Sequence, residues 1–212
     1  ASDVYKRQVK EDNTMTSQHM IEEQVIAQLF TEARTHKAFL DKPVETATLH
    51  RLYDIAKFAP SASNLCPMRI VFATSDEARR KVIDAAAPGN RQKIDSAPVV
   101  AIIAHDTRFH QHIETLAPHM DAAAYAAQDA AKLEQVAIEN SWLQAGFLIA
   151  AARALGLDCG PMSGFDKVAI DDSFFSGSSW RADFLMNIGY GDAKQLHPRG
   201  HRLGFDEACL IA

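Results

Sequence analysis

The sequence predicts one domain of α/β or α+β type. Helical periodicities alternate with short apolar runs along the whole chain, and no Pro/Gly/Ser-rich linker, repeat or low-complexity block divides it. With 212 residues, 47% of them hydrophobic, the chain is long enough to bury a proper core. The formal net charge is −5 and the basic residues are scattered rather than striped, which argues against a nucleic-acid partner. Cys66, Cys159 and Cys209 are odd in number and widely spaced, so neither a disulfide framework nor a CxxC pair is available. A cytoplasmic location is expected, and no apolar run approaches the roughly 20 residues of a membrane span. Residues 1–19 are polar and unpatterned; they are expected to form a disordered leader or remnant, with the folded domain spanning 20–212.

Each element has its own signal. Ile21, Val25, Leu29 and Phe30 recur at helical spacing and predict an amphipathic helix ending near Arg34. After Pro43, Thr46 is the expected cap of a second helix burying Leu49, Leu52, Tyr53, Ile55 and Ala56. Ile70–Ala73 reads as a short buried strand, and Asp76 opens a helix to about Ala87. Asn90-Arg91-Gln92-Lys93 is expected in a connection. Val99–Ala104 is almost wholly apolar, as a central strand covered on both faces should be. From Gln128 to Leu155 runs the longest helical pattern, apolar on several sides at Trp142, Leu143, Phe147, Leu148 and Ile149, for which a dimer interface is a natural cover. Gly156 ends it, Leu157–Cys159 forms a short edge strand, and Phe184–Ile188 is the last strand, before Gly189-Tyr190-Gly191.

Two proline-led segments about a hundred residues apart stand outside this regular pattern: Pro60-Ser61-Ala62-Ser63-Asn64-Leu65-Cys66-Pro67 and Pro161-Met162-Ser163-Gly164-Phe165. Proline fixes φ and removes a donor, and the residues that follow favour turns while offering hydroxyl, amide and bare backbone groups. Both are expected to be loops delivered by a helix. Around them are groups suited to a flat, anionic ligand: Arg34, Lys37, Arg199 and Arg202 for a phosphate, and Asn90 with Lys93 for a heterocycle edge. His105, His110, His112 and His119 cluster, but no cysteine lies near them and no metal is expected. The chain has no G-x-G-x-x-G after a strand, no Walker lysine loop and no G-x-S-x-G elbow.

Taken together, these segments resemble the nitroreductase family of FMN-dependent oxidoreductases, from about Ile21 to Ala212. Arg34-Thr35-His36-Lys37-Ala38-Phe39 is similar to the family's phosphate-binding hinge, and Pro60-Ser61-Ala62-Ser63-Asn64 with Pro67 to its flavin-ring loop, donated by the partner subunit. Asn90-x-x-Lys93 resembles the pair beside the pyrimidine edge of the ring. Pro161, Met162, Ser163 and Gly164, with Phe165-Asp166, resemble the segment over the ring near N5, and Arg202, with Arg199 nearby, falls where a late phosphate-binding arginine is expected. The resemblance implies an α+β fold of three layers, α/β/α, around a mixed, mainly antiparallel sheet, in a homodimer with FMN at the subunit interface. It also implies NADPH or NADH as reductant and Lys93, Asn90 and Ser163 as the catalytic groups.

The chain departs from the common family pattern at Ser163, where many members carry glutamate, and at Cys66-Pro67-Met68 in place of Gln-Pro-Trp. Ala33–His36, Pro161–Asp166 and Asn187–Asp192 are closer to the malonic semialdehyde reductase branch, which implies NADPH-linked reduction of 3-oxopropanoate to 3-hydroxypropanoate in uracil breakdown. Arg69 is the candidate anchor for that substrate's carboxylate. A broad-range nitroaromatic or quinone reductase and a non-enzymatic flavin-binding protein are the alternatives.

Overall fold

The computed structural model describes residues 20–212; the expected leader, 1–19, lies outside them. A four-stranded sheet is built from β1 (Met68–Ala73), β2 (Val99–Asp106), β3 (Asp158–Met162) and β4 (Trp180–Gly189), in the order β1-β2-β4-β3. All three strand pairs are antiparallel. The parallel component of the expected mixed sheet is a single bridge, Thr35 to Cys159, where the chain before the second helix runs along the free edge of β3.

The strand expected at the centre is there, and every residue of β2 is buried. Its side chains alternate between two cores. Val99, Ala101 and Ile103 meet Leu49, Leu52, Ala145, Leu148 and Phe184. Val100, Ile102 and Ala104 meet Val82, Ile94, Ile170 and Leu185 on the other face. The first face is covered by α2 (Thr46–Ala56) and the long α7 (Ala130–Ala154), the second by α3 (Asp76–Ala85), α4 (Pro88–Asp95) and α8 (Lys167–Phe174); the short α5 (Ile113–Leu116) and α6 (Ala122–Ala126) precede α7. The layers are therefore α/β/α.

Several expectations are corrected. Helix α1 (Glu23–Ile26) continues only as a π turn, Ala27–Thr31, and ends before Arg34, because His36 N–H donates to the Cys159 carbonyl at 3.1 Å and draws 33–36 out along β3. Thr46 is the first helical residue of α2; Glu45 occupies the cap position and provides no side-chain cap, and Tyr53 is half exposed. Strand β1 is an edge strand, only partly buried over Arg69–Phe72. Asn90 and Lys93 lie in helix α4 and not in a connection: Pro88 takes a first-turn position, where its missing N–H costs nothing. Pro161 and Met162 lie in strand β3, which proline tolerates because only one side of that strand is paired within the sheet. Gly156, with φ +72°, ends α7 as expected.

Candidate functional site

Two clusters of the expected residues assemble along β3. At its start, the C-terminal segment folds against the 33–36 stretch: Arg34 donates to the His197 carbonyl and Arg199 to the Ala33 carbonyl at 3.2 Å. Together they border a cavity of about 580 Å³ whose lining includes four guanidinium groups, Arg34, Arg153, Arg199 and Arg202, with Thr31 and Thr35, and no carboxylate. Four guanidinium groups around one cavity lined by no carboxylate suit a multiply charged anion chemically, since their paired donors match phosphate oxygens. Arg153 was not legible as a member, since it ends a long apolar helix; it donates to the Leu29 carbonyl at 2.8 Å, and its Nε is buried without a partner.

Of the other hinge residues, Lys37 is exposed and does not line this cavity. His36 is buried, 3.4 Å from Asp158 through Nε2, and packs so tightly on Gly191 that a Cβ there would lie 2.0 Å from its Nδ1. Gly160 serves the same approach: a Cβ on it would meet the His36 carbonyl oxygen at 2.5 Å.

The second cluster forms at the far end of β3, after roughly 16 Å of extended chain. The i, i+3 spacing in α4 puts Asn90 and Lys93 on one face, and Lys93 Nζ donates to Asn90 Oδ1 at 2.9 Å. Asn90 Nδ2 and Ala87 N–H both donate to the Gly164 carbonyl, each at 3.0 Å. A Cβ on Gly164 would meet Asn90 Nδ2 at 2.7 Å, so any larger residue must displace that side chain. Asn187 of β4 donates to the Lys93 carbonyl at 2.8 Å, so the sheet holds α4 in register with the segment after β3. Ser163 is exposed beside this cluster. An ammonium and an amide one helical turn apart, next to bare backbone, can hold a planar polar edge and stabilise negative charge on it.

The first proline-led loop is elsewhere. It leaves α2 and enters β1, the opposite edge of the sheet from β3. Three strand spacings separate the two edges, about 14 Å. Ala62–Asn64 form a 3-10 turn, and Ser63, Asn64 and Cys66 all have positive φ (47°, 58° and 43°). For Ser63 and Cys66 this costs about 1–2 kcal/mol each, whereas asparagine tolerates it. Leu65, 2% exposed, anchors the loop in a satellite core with Phe109, Ile113, Leu133 and Ala137. Ser61 Oγ accepts from Cys66 N–H at 3.0 Å, and Asn64 Nδ2 donates to the Leu116 carbonyl at 2.9 Å. Pro60, Ala62, Ser63 and Asn64 are exposed. Two buried carboxamides that sequence reasoning missed hold the loop from behind: Asn140 accepts from Ala62 N–H at 2.6 Å and Gln144 from Met68 N–H at 3.1 Å.

Beside this loop lies a cavity of about 1030 Å³, lined in part by Leu49, Tyr53, Phe58, Ile70, Phe72 and Trp180. Arg69 borders it but is committed. Its guanidinium meets Asp106 at 2.8 Å and donates to the carbonyls of Cys66 and Met68. Burial pushes the Asp106 carboxyl up, but the Ser179 hydroxyl, the Arg108 amide and Arg69 outweigh it and hold the group below its ordinary value of 3.8. Of the clustered histidines, His105 is buried, with Nδ1 2.8 Å from Asp183. Among the described residues no group of three or more His, Cys, Asp or Glu is placed to hold a metal ion, and no helix is long and apolar enough to cross a membrane. Burial pushes the Cys159 thiol up to about 12, which makes it a packing residue and not a nucleophile.

The nitroreductase family profile matches residues 31–190. A Ralstonia nicotianae protein named "Putative NADH dehydrogenase/NAD(P)H nitroreductase" is 47% identical over 191 residues, 90% of this chain and 98% of its own length. A Stutzerimonas stutzeri protein with the same name is 48% identical over 192 residues, 91% of this chain and 98% of its own. A crystal structure from Bacillus subtilis superposes with a TM-score of 0.81 at 22% identity, covering 90% of this chain and all of that one. Another, from Exiguobacterium sibiricum and in complex with FMN, superposes with a TM-score of 0.78 at 19% identity, covering 88% and 97%.

Proposed function

Because the chain belongs to the nitroreductase family, we propose that it is an FMN-dependent NAD(P)H oxidoreductase acting as a homodimer. The observation that carries this reading is the pairing of an arginine-lined anion cavity with the Asn90–Lys93–Gly164 cluster at the two ends of one strand. That arrangement fits a ligand with a phosphate at one end and a flat polar ring at the other. Bound FMN would supply a centre that takes hydride from NAD(P)H and passes it to a second substrate.

This chain's residues would bind and orient. Arg34, Arg199 and Arg202, with Thr35, would hold the phosphate. Lys93 and Asn90 would face the ring edge where negative charge grows, and their fixed positions would stabilise that charge without reorganisation. Ser163 and the Gly164 backbone would lie against the ring. Ser61 and Asn64 would complete the site from the partner's first loop. Support for a dimer comes from the opposite placement of the two loops and from the half-exposed Trp142, Leu143 and Phe147 on α7. Leu210 and Ile211, exposed at 89% and 84%, add apolar surface that wants cover.

Nitroaromatic compounds and quinones are the favoured acceptors, because Arg69, the candidate carboxylate anchor, is already neutralised by Asp106. Malonic semialdehyde is the rival, carried by the likeness at Pro161–Asp166 and Asn187–Asp192. The test is NADPH and NADH oxidation with nitrofurazone, menadione and malonic semialdehyde. A fast rate with the aldehyde and negligible rates with the other two would reverse the preference. A flavin band that NAD(P)H fails to bleach would instead leave a flavin-binding protein without reductase activity.

A further inference from the structure

The exposed tip of the first loop is shaped in part by residues it does not contain. Ser63, Asn64 and Cys66 occupy the left-handed region, which asparagine tolerates but where serine and cysteine do not stay unless their surroundings over-determine them. On either side of this stretch a backbone N–H is taken by a buried carboxamide of α7: Ala62 by Asn140 and Met68 by Gln144. Residues 140 and 144 stand one helical turn apart, so a single rigid element fixes both ends. Asn140 is itself oriented, since its Nδ2 donates to the Val136 carbonyl at 2.8 Å. Between the two, Ser141 donates to Asp183 at 2.7 Å, tying α7 to β4. The loop is thus referenced to the sheet as well as to its own internal hydrogen bonds, such as Cys66 N–H to Ser61 Oγ.

We propose that Asn140 and Gln144 are positioning residues that act in trans: they hold loop 60–67 of one subunit in the shape that meets the FMN bound by Arg34 and Lys93 of the other. This rests on the dimeric flavoenzyme reading above. The prediction separates these two carboxamides from the ordinary core of α7, whose loss would weaken both sites of a dimer alike.

The test uses the full-length protein co-expressed with two affinity tags, so that heterodimers with Asn140→Leu in one chain and Lys93→Ala in the other can be isolated. Leucine keeps the branched outline of asparagine and removes the acceptor. The Asn140→Leu homodimer is expected to keep the wild-type circular dichroism spectrum while slowing NAD(P)H-driven flavin reduction at least tenfold. The heterodimer should recover about half the wild-type rate, because one of its two sites then combines an intact loop with an intact Lys93. A heterodimer no faster than the two variant homodimers overturns the proposal, and so does an Asn140→Leu homodimer with the wild-type rate. Should Asn140→Leu not fold, Gln144→Met, which releases only Met68 N–H, goes through the same pairing and is read the same way. A wild-type protein that binds no FMN, or that stays monomeric, overturns the flavoenzyme reading and the proposal with it, and is told apart by needing no variant.

Discussion

The two proline-led segments look alike in sequence and are held by opposite means. Loop 60–67 is bent against its own backbone preferences, with three non-glycine residues at positive φ, and is kept there by Leu65 in a satellite core and by carboxamides some 75–80 positions away. Segment 160–166 begins as part of a strand, and no residue in it has positive φ. It is placed by backbone partners, with Gly164 O accepting from Ala87 N–H and Asp166 N–H donating to Ala85 O. The first loop is therefore shaped by packing at a distance, the second by continuation of a sheet edge. A strained, over-determined loop suits a part that must present a fixed surface outward; an unstrained edge suits a part that must let another chain segment or a ring approach closely.

Four substitutions break or sharpen that contrast. Leu65→Ala strikes the anchor of the strained loop and should cost about 3 kcal/mol, the range for emptying a fully buried leucine site. Urea unfolding measures it, and a cost below about 1 kcal/mol would mean that the satellite core does not hold the loop. Gly164→Ala strikes the unstrained segment by sterics alone. The added Cβ must push Asn90 aside, and a displacement of this kind should slow flavin reduction about 100-fold while leaving thermal stability close to wild type.

Arg69→Met tests the ion pair beneath the first loop. A hydrogen-bonded charge pair of this kind is worth about 2 kcal/mol. The sign is set by Asp106, whose folded value lies below 3.8: its contribution is fully present above that value and lost as pH falls through the lowered one. Stability measured against pH should therefore show a shallower acid-side slope in Arg69→Met, with the Ser179 hydroxyl and the Arg108 amide keeping part of it, and an unchanged profile would remove Arg69 from the account. The smallest effect is expected from Ser61→Ala, which removes one partly buried hydrogen bond to Cys66 N–H and should cost about 1 kcal/mol.

Much of the site was legible because its signals are local. The i, i+3 spacing of Asn90 and Lys93 identifies a pair whether or not the segment is recognised as a helix, and the helix that carries them opens with Pro88 as a first-turn residue. Asn140, Gln144 and Arg153 gave no such signal. Polar residues on a long helix look like its solvent face until the neighbouring elements are known, and here that face is turned inward, so that Asn140 and Gln144 are only 8% and 3% exposed.

What the sequence determined by itself was whatever depends on a few consecutive residues: the apolar run that makes β2 central, the Gly156 stop and the turn chemistry of loop 60–67. Only the tertiary structure decided which distant groups meet. The antiparallel order β1-β2-β4-β3 sends the two loops to opposite edges, gathers four arginines from three stretches of chain, and commits Arg69 to Asp106. Dihedral preference and periodicity act over one or two turns of chain, whereas contacts between edges depend on which strands become neighbours, and that is settled by burial of the whole sheet at once.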